Sequence, residues 1–183
     1  MNHTMNKPDF SPILAERCKF AHEYDAEKQI LRLDATNLQV LFDALKNDAR
    51  LSFDYLRDLT GKEQPVGELH VVYMFASISL HHDLLVIAKV PESMEVPSAI
   101  EFWKSADWLE RETYDMFGIS FKGHPDLRRI YLEETVSFFP LRKSFKVLQV
   151  VNLGDLGQAE REFAKPKKEA PKPAAPAKVE EGQ

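Results

Sequence analysis

The run Asp107 to Phe117, DWLERETYDMF, holds the densest set of side chains able to do chemistry. On a helix, Trp108, Glu112 and Asp115 share a face by i+4 and i+3 spacing. Two carboxylates three residues apart beside an aromatic ring can serve as an acid/base couple. The competing reading is a charged helix face that meets arginines of another surface, and ion networks often mimic active sites in this way. The second reading is favoured, because neither a nucleophile nor a phosphate loop accompanies the pair. Arg111 and Asp115 also form an i, i+4 pair, in the less favourable order with the cation first. His124 and Asp126 supply two metal ligands, but a third is not in sight. His81-His82-Asp83 reads better as a polar turn, and His3, His22 and His70 are isolated. Neither GxGxxG nor GxxxxGK[ST] occurs, so there is no nucleotide fingerprint. The single Cys18 can form no internal disulfide and cannot hold a cluster or a structural zinc by thiolates alone. This inventory favours a domain that binds other proteins over one that does bond chemistry.

Two loops carry directional charge. Gly118 ends the helix as a C′ glycine would. The loop after it, Ile119 to Ile130, mixes Gly123 and Pro125, which set backbone shape, with Asp126, Arg128 and Arg129, which make charged contacts. Ser137 to Lys143, with Pro140, Arg142 and Lys143, has the same character. Such loops make few core contacts and become ordered when something lies against them.

The elements that position these residues follow from periodicity. Ser11-Pro12 looks like an N-cap and a first-turn proline, with a helix to about Lys19. Phe20 to Leu33 reads as two strands around a polar turn at Asp25 to Lys28. Thr36 can cap a second helix whose Leu38, Leu41, Phe42 and Leu45 form an apolar stripe. Leu51, Phe53 and Tyr55 alternate as in a strand, Glu68 to Ser79 is apolar on both faces, and Leu84 to Val90 follows after a hairpin loop. Ser98 to about Phe117 turns helical. The order α-β-β-α-β-β-β-α predicts an α+β fold, a mostly antiparallel sheet with helices packed on one face.

Composition sets the frame. The 183 residues are 44% hydrophobic and 10% aromatic, too apolar for a chain disordered throughout. With 24 Lys+Arg against 29 Asp+Glu, the net charge of −5 disfavours a nucleic-acid partner. The best apolar run, Val71 to Leu80, is far short of the roughly 20 residues a spanning helix needs. Met1 to Phe10 lacks the apolar region of a secretory signal, so a reducing cytosolic compartment is expected. Near Ala164 the composition shifts. The expected organisation is an extension over residues 1–10, an α+β domain over 11–118, an extended partner-binding segment over 119–164, and a disordered Lys/Pro/Ala-rich tail over 165–183.

The motif residues then become recognisable. Glu110-Arg111-Glu112-Thr113-Tyr114-Asp115-Met116-Phe117-Gly118-Ile119, continuing through Gly123-His124-Pro125-Asp126-Leu127-Arg128-Arg129-Ile130, closely resembles the motif of the 30 kDa subunit family, the C-subunit, of respiratory complex I (NADH:quinone oxidoreductase). Asp54 to Thr60 resembles the family's middle. Pro140-Leu141-Arg142-Lys143 resembles its PLRK element, with Phe138-Phe139 where the family more often has Gly-His. The resemblance spans roughly Ser11 to Phe145.

It implies a non-catalytic, hydrophilic peripheral-arm subunit that supports the quinone-reducing module of a proton-translocating enzyme. No flavin, iron–sulfur cluster or metal is expected in this chain; FMN, clusters and quinone sites belong to partner subunits. The implied partners are chiefly subunits D and B, with membrane association through the complex, at the cytoplasmic face of the bacterial plasma membrane. Glu110, Arg111, Glu112 and Asp115 are expected to orient the helix. His124, Asp126, Arg128, Arg129, Arg142 and Lys143 are expected to contact the D-subunit, Arg because its planar fork fixes carboxylates. The alternatives are the equivalent subunit of a membrane-bound hydrogenase or ferredoxin-dependent NDH complex, and a soluble hydrolase using Glu112 and Asp115.

Overall fold

The chain's computed structural model describes residues 8–65 and 67–145, so the tail expected over 165–183 lies outside the described residues. Helix α1 (Ser11–Arg17) leads into strands β1 (His22–Asp25) and β2 (Ile30–Asp34), then helix α2 (Leu38–Asn47). Strands β3 (Tyr55–Glu63), β4 (Leu69–Ser77) and β5 (His82–Lys89) follow. Strand β6 (Glu95–Pro97), helix α3 (Ala106–Phe117) and strand β7 (Ser120–Lys122) complete the order.

The five long strands form one sheet in the order β1-β2-β5-β4-β3. Neighbours pair antiparallel except β2 and β5, which run parallel. That exception follows from connectivity, because the chain leaves β2 through α2 and a hairpin before returning beside it. One sheet face carries the core. On β4, Leu69, Val71, Tyr73 and Phe75 are buried, while His70, Val72 and Met74 on the other face are half-buried. The α2 stripe Leu38, Leu41, Phe42 and Leu45 is fully buried against that core. Its Phe42 ring meets Tyr73 at 5.4 Å and Phe75 at 6.1 Å between centroids, edge-on as aromatic quadrupoles prefer. Trp103 packs 4.7 Å from Phe75 and donates its indole N–H to the Phe53 carbonyl at 2.9 Å.

The α+β architecture and the two N-terminal strands match the sequence reading, but four boundaries differ. Ser11 is not a cap: Phe10 occupies the N-cap position, and Asp9 accepts hydrogen bonds from the Ser11 amide and hydroxyl. Thr36 lies in a short 3-10 turn, Ala35–Asn37, and makes no cap to α2. Leu51 and Phe53 are buried but precede the strand, since the Leu51 and Ser52 amides turn back onto the Asp48 carbonyl. Helix α3 starts at Ala106 rather than near Ser98. The Ser98 and Ala99 amides bond to Lys122 O and the Glu110 carboxylate, and the chain from Ala99 passes through isolated turns, with Phe102 and Trp103 donating to Ala99 O, before the helix begins. The same Ser98 link pairs β6 with β7 in a parallel ribbon too short to leave a periodic signal.

Candidate functional site

Helix α3 directs its motif residues to different places. Glu110 points into the core with no exposure; its oxygens accept from the Ser98 hydroxyl and the Ala99 amide, both at 2.6 Å. Among the described residues no cation pairs with it. Burial pushes its carboxyl up to about 7 against these two hydrogen bonds. The Tyr73 hydroxyl and Thr113 Oγ1 are buried nearby without a partner among the described residues. Burial, then the Glu110 charge, push the Tyr73 phenol well above its usual range.

Asp115 is equally buried but fully paired. Arg129 donates to its Oδ1 at 2.7 Å, and the amides of Ile130, Tyr131 and Leu132 donate to Oδ2 at 3.1, 2.7 and 3.1 Å. Burial alone would raise this carboxyl, but the amide and guanidinium hydrogen bonds together hold it below the usual carboxylate range. One buried carboxylate thus gathers a turn of irregular chain, as a cation and aligned N–H groups do around an anion.

The residues beyond it close over the end of α3. Gly118 ends the helix at φ 71°. Leu141 N donates to Met116 O at 3.2 Å, and Arg142 Nε donates to Phe117 O at 2.6 Å, satisfying carbonyls that a helix C-terminus leaves open. The Phe139 ring lies between Arg129 and Arg142, at 5.0 and 5.2 Å from their guanidinium carbons. It also lies against Gly118, where any Cβ would fall 2.5 Å from the ring. Lys143 N donates to Glu63 Oε2 at 2.6 Å.

A second group sits on the outer side of α3. His124 lies with Nε2 at 3.2 Å from Asp107 O and 3.3 Å from Asp107 Oδ1, while its Nδ1 accepts from the Asp126 amide at 3.1 Å. Asp126 takes both arms of the Arg128 fork at 2.7 Å. The Arg111 guanidinium carbon lies over Trp108, 4.9 Å from the ring centre, and Nε–H donates to Arg128 O at 3.2 Å.

The structure therefore joins Asp115, Arg129 and Arg142 in one cluster, with Phe139 between the two arginines, and Arg111, His124, Asp126 and Arg128 in another; Pro140 is half-buried beside the first. It separates the suggested acid/base couple, since Glu112 is exposed while Asp115 is buried in its ion pair. Arg111 and Asp115 do not pair. Gly123 takes φ 91°, and Pro125 and Lys143 are exposed. Sequence reasoning missed the roles of Ser98, Tyr73 and Phe139. For Phe139 the one available signal was the departure from Gly-His ahead of the PLRK element. Among the described residues no group of three His, Cys, Asp or Glu could hold a metal ion, and no helix is long and apolar enough to cross a membrane.

Residues 31–150 match the model of the family described as respiratory-chain NADH dehydrogenase, 30 Kd subunit. The NADH-quinone oxidoreductase C-subunit of Chloroherpeton thalassium is 44% identical over 108 residues, 58% of this chain and 45% of that protein. The C-subunit from Bartonella henselae is 36% identical over 139 residues, covering 75% of this chain and 68% of that protein. The chain thus spans from under half to about two thirds of the relatives it matches. A solved trypsin-resistant fragment of Nqo5 superposes with a TM-score of 0.53 at 27% identity, over 64% of this chain and 96% of the fragment. A chain from the membrane-bound sulfane sulfur reductase, an archaeal respiratory membrane complex, gives a TM-score of 0.62 at 18% identity, over 90% and 95% of the two chains, a likeness of fold. By the match over strands β2 to β7, its helix α3 and the segment that closes on it, the chain belongs to the 30 kDa subunit family of respiratory-chain NADH dehydrogenase.

Proposed function

We propose that the chain is the peripheral-arm C-subunit of a proton-translocating NADH:quinone oxidoreductase, a non-catalytic part that supports the quinone-reducing module. The observation that carries this reading is where the charged residues go. Glu110, Asp115, Arg129 and Arg142, the most constrained of them, hold the chain's own backbone. Relatives at 36–44% identity carry the name of the NADH-quinone oxidoreductase C-subunit. FMN, iron–sulfur clusters and the quinone site would reside in partner subunits, chiefly the equivalents of the D- and B-subunits, and the chain would reach the cytoplasmic face of the plasma membrane through them. Arg129 and Arg142 build the surface, while the exposed Arg128 and Lys143 side chains are left to meet the D-subunit.

The likeness to the sulfane sulfur reductase chain supports a second reading, the equivalent subunit of a related complex such as a membrane-bound hydrogenase or a ferredoxin-dependent NDH complex. A pull-down through this chain from detergent-solubilised membranes separates them. Co-recovery of flavin- and cluster-bearing subunits with NADH:quinone activity is expected. Recovery of hydrogenase or ferredoxin-linked subunits would favour the second reading, and recovery of the chain alone would overturn both.

A further inference from the structure

Trp108 is 64% exposed, an unusual state for the largest apolar side chain in the first turn of a well-packed helix. It is not loose. Arg111, one turn on, sits over it at 4.9 Å and donates through Nε to the Arg128 carbonyl at 3.2 Å. Yet Arg111 has no carboxylate within ion-pair distance among the described residues. The two nearby acids are engaged elsewhere: Asp126 by both arms of Arg128 at 2.7 Å, Asp107 by His124 at 3.3 Å. Glu112 is exposed, and adjacent residues on a helix do not face each other. The result is an exposed indole under a guanidinium that feels the Asp126 charge but makes no ion pair among the described residues. Trp and Arg are the residue types that dominate interface energetics, and a side chain already ordered loses little entropy on binding.

We propose that Trp108 and Arg111 form a docking hot spot for a neighbouring subunit, which sets a carboxylate side chain on the free edge of the guanidinium and an apolar group on the indole. This rests on the reading of the chain as part of a multi-subunit complex and names a contact on it. The missing anion specifies the partner's chemistry: an Asp or Glu flanked by an apolar residue, because a planar fork binds a carboxylate bidentately.

The test uses the full chain, tagged, in solubilised membranes of the host that assembles the complex. Trp108→Ala and Arg111→Ala should each weaken association with the neighbouring subunit about thirty-fold, and Arg111→Lys should share most of the loss. The thermal midpoints of the isolated variants should stay close to that of the unaltered chain, because the indole is exposed and the guanidinium gives up one partly solvated hydrogen bond. A photo-crosslinker at position 108 should attach to a partner peptide containing Asp or Glu. If both alanine variants recover the redox subunits as well as the unaltered chain does, or if the crosslinks map to lipid or to this chain, the hot spot is overturned while the proposed function stands. If the unaltered chain recovers no redox subunits, the proposed function fails and takes the hot spot with it.

Discussion

Glu110 and Asp115 sit five residues apart on one helix, both fully buried, and their carboxyls move in opposite directions. The difference is the partner set: two neutral donors for Glu110, a guanidinium and three amides for Asp115. For Glu110 the folded value, about 7, lies above its ordinary 4.5, so the folded chain holds this proton more tightly than the unfolded one. Stability is then greatest below about 4.5, falls as pH rises toward 7, and levels off above it. In urea titrations from pH 5 to 8, the unaltered chain should lose roughly 2.5 kcal/mol relative to Glu110→Gln, whose amide oxygen still accepts from Ala99 and whose NH2 can donate to Ser98 Oγ without ionising. Parallel pH curves for the two would remove the assignment. For Asp115 the sign reverses: its contribution is present above its ordinary range and is lost as pH falls. The sequence marked both residues as motif positions. It could not say which faced the core, because the decisive donors, Ser98 and Arg129, lie 12 and 14 residues away.

At the scale of elements, the segment after Gly118 is anchored on α3 by Asp115 at one point and by Arg142 at another. Arg129→Ala should cost about 3 kcal/mol, because it leaves a buried carboxylate without its cation. Hydrogen exchange at the Ile130, Tyr131 and Leu132 amides should accelerate in that variant well before the β4 amides do; uniform change across both would argue against a local anchor. Gly118 faces two demands at once, a left-handed backbone and a ring at contact distance. Gly118→Ala should cost about 1–2 kcal/mol from the backbone alone, with more from the clash. Phe139→Ala should relieve the clash, so the double variant should be less destabilised than the sum of the singles; strict additivity would show that the ring yields freely. Helix α2 and strands β4 and β5 were legible because each apolar pattern repeats at its own period, whereas β3, whose pairing shifts between Leu56 and Asp58, was read too early, at Leu51 to Tyr55. The ribbon of β6 and β7 and the late start of α3 were not, because their hydrogen bonds cross between distant segments.

At the scale of the whole molecule, the core-facing sheet surface and its helices form the body, and the charged outer side of α3 faces away from it. Arg128→Ala tests that side: it removes an exposed fork and should release the D-subunit equivalent on native gels, with little change in the fold. Retention of an intact, active complex would exclude Arg128 as a contact. By itself the sequence determined the α+β class and the family, since apolar periodicity and a dense local motif survive without coordinates. It also held the charged residues in hand, but not their use. Tertiary structure decided that use: which carboxylate is paired, that Arg129 and Arg142 turn inward, that Phe139 fills the space between them, and that Arg111 sits over Trp108 with no ion pair among the described residues. Burial and charge pairing depend on what lies across space from a residue, and chain spacing does not encode that beyond a turn or two.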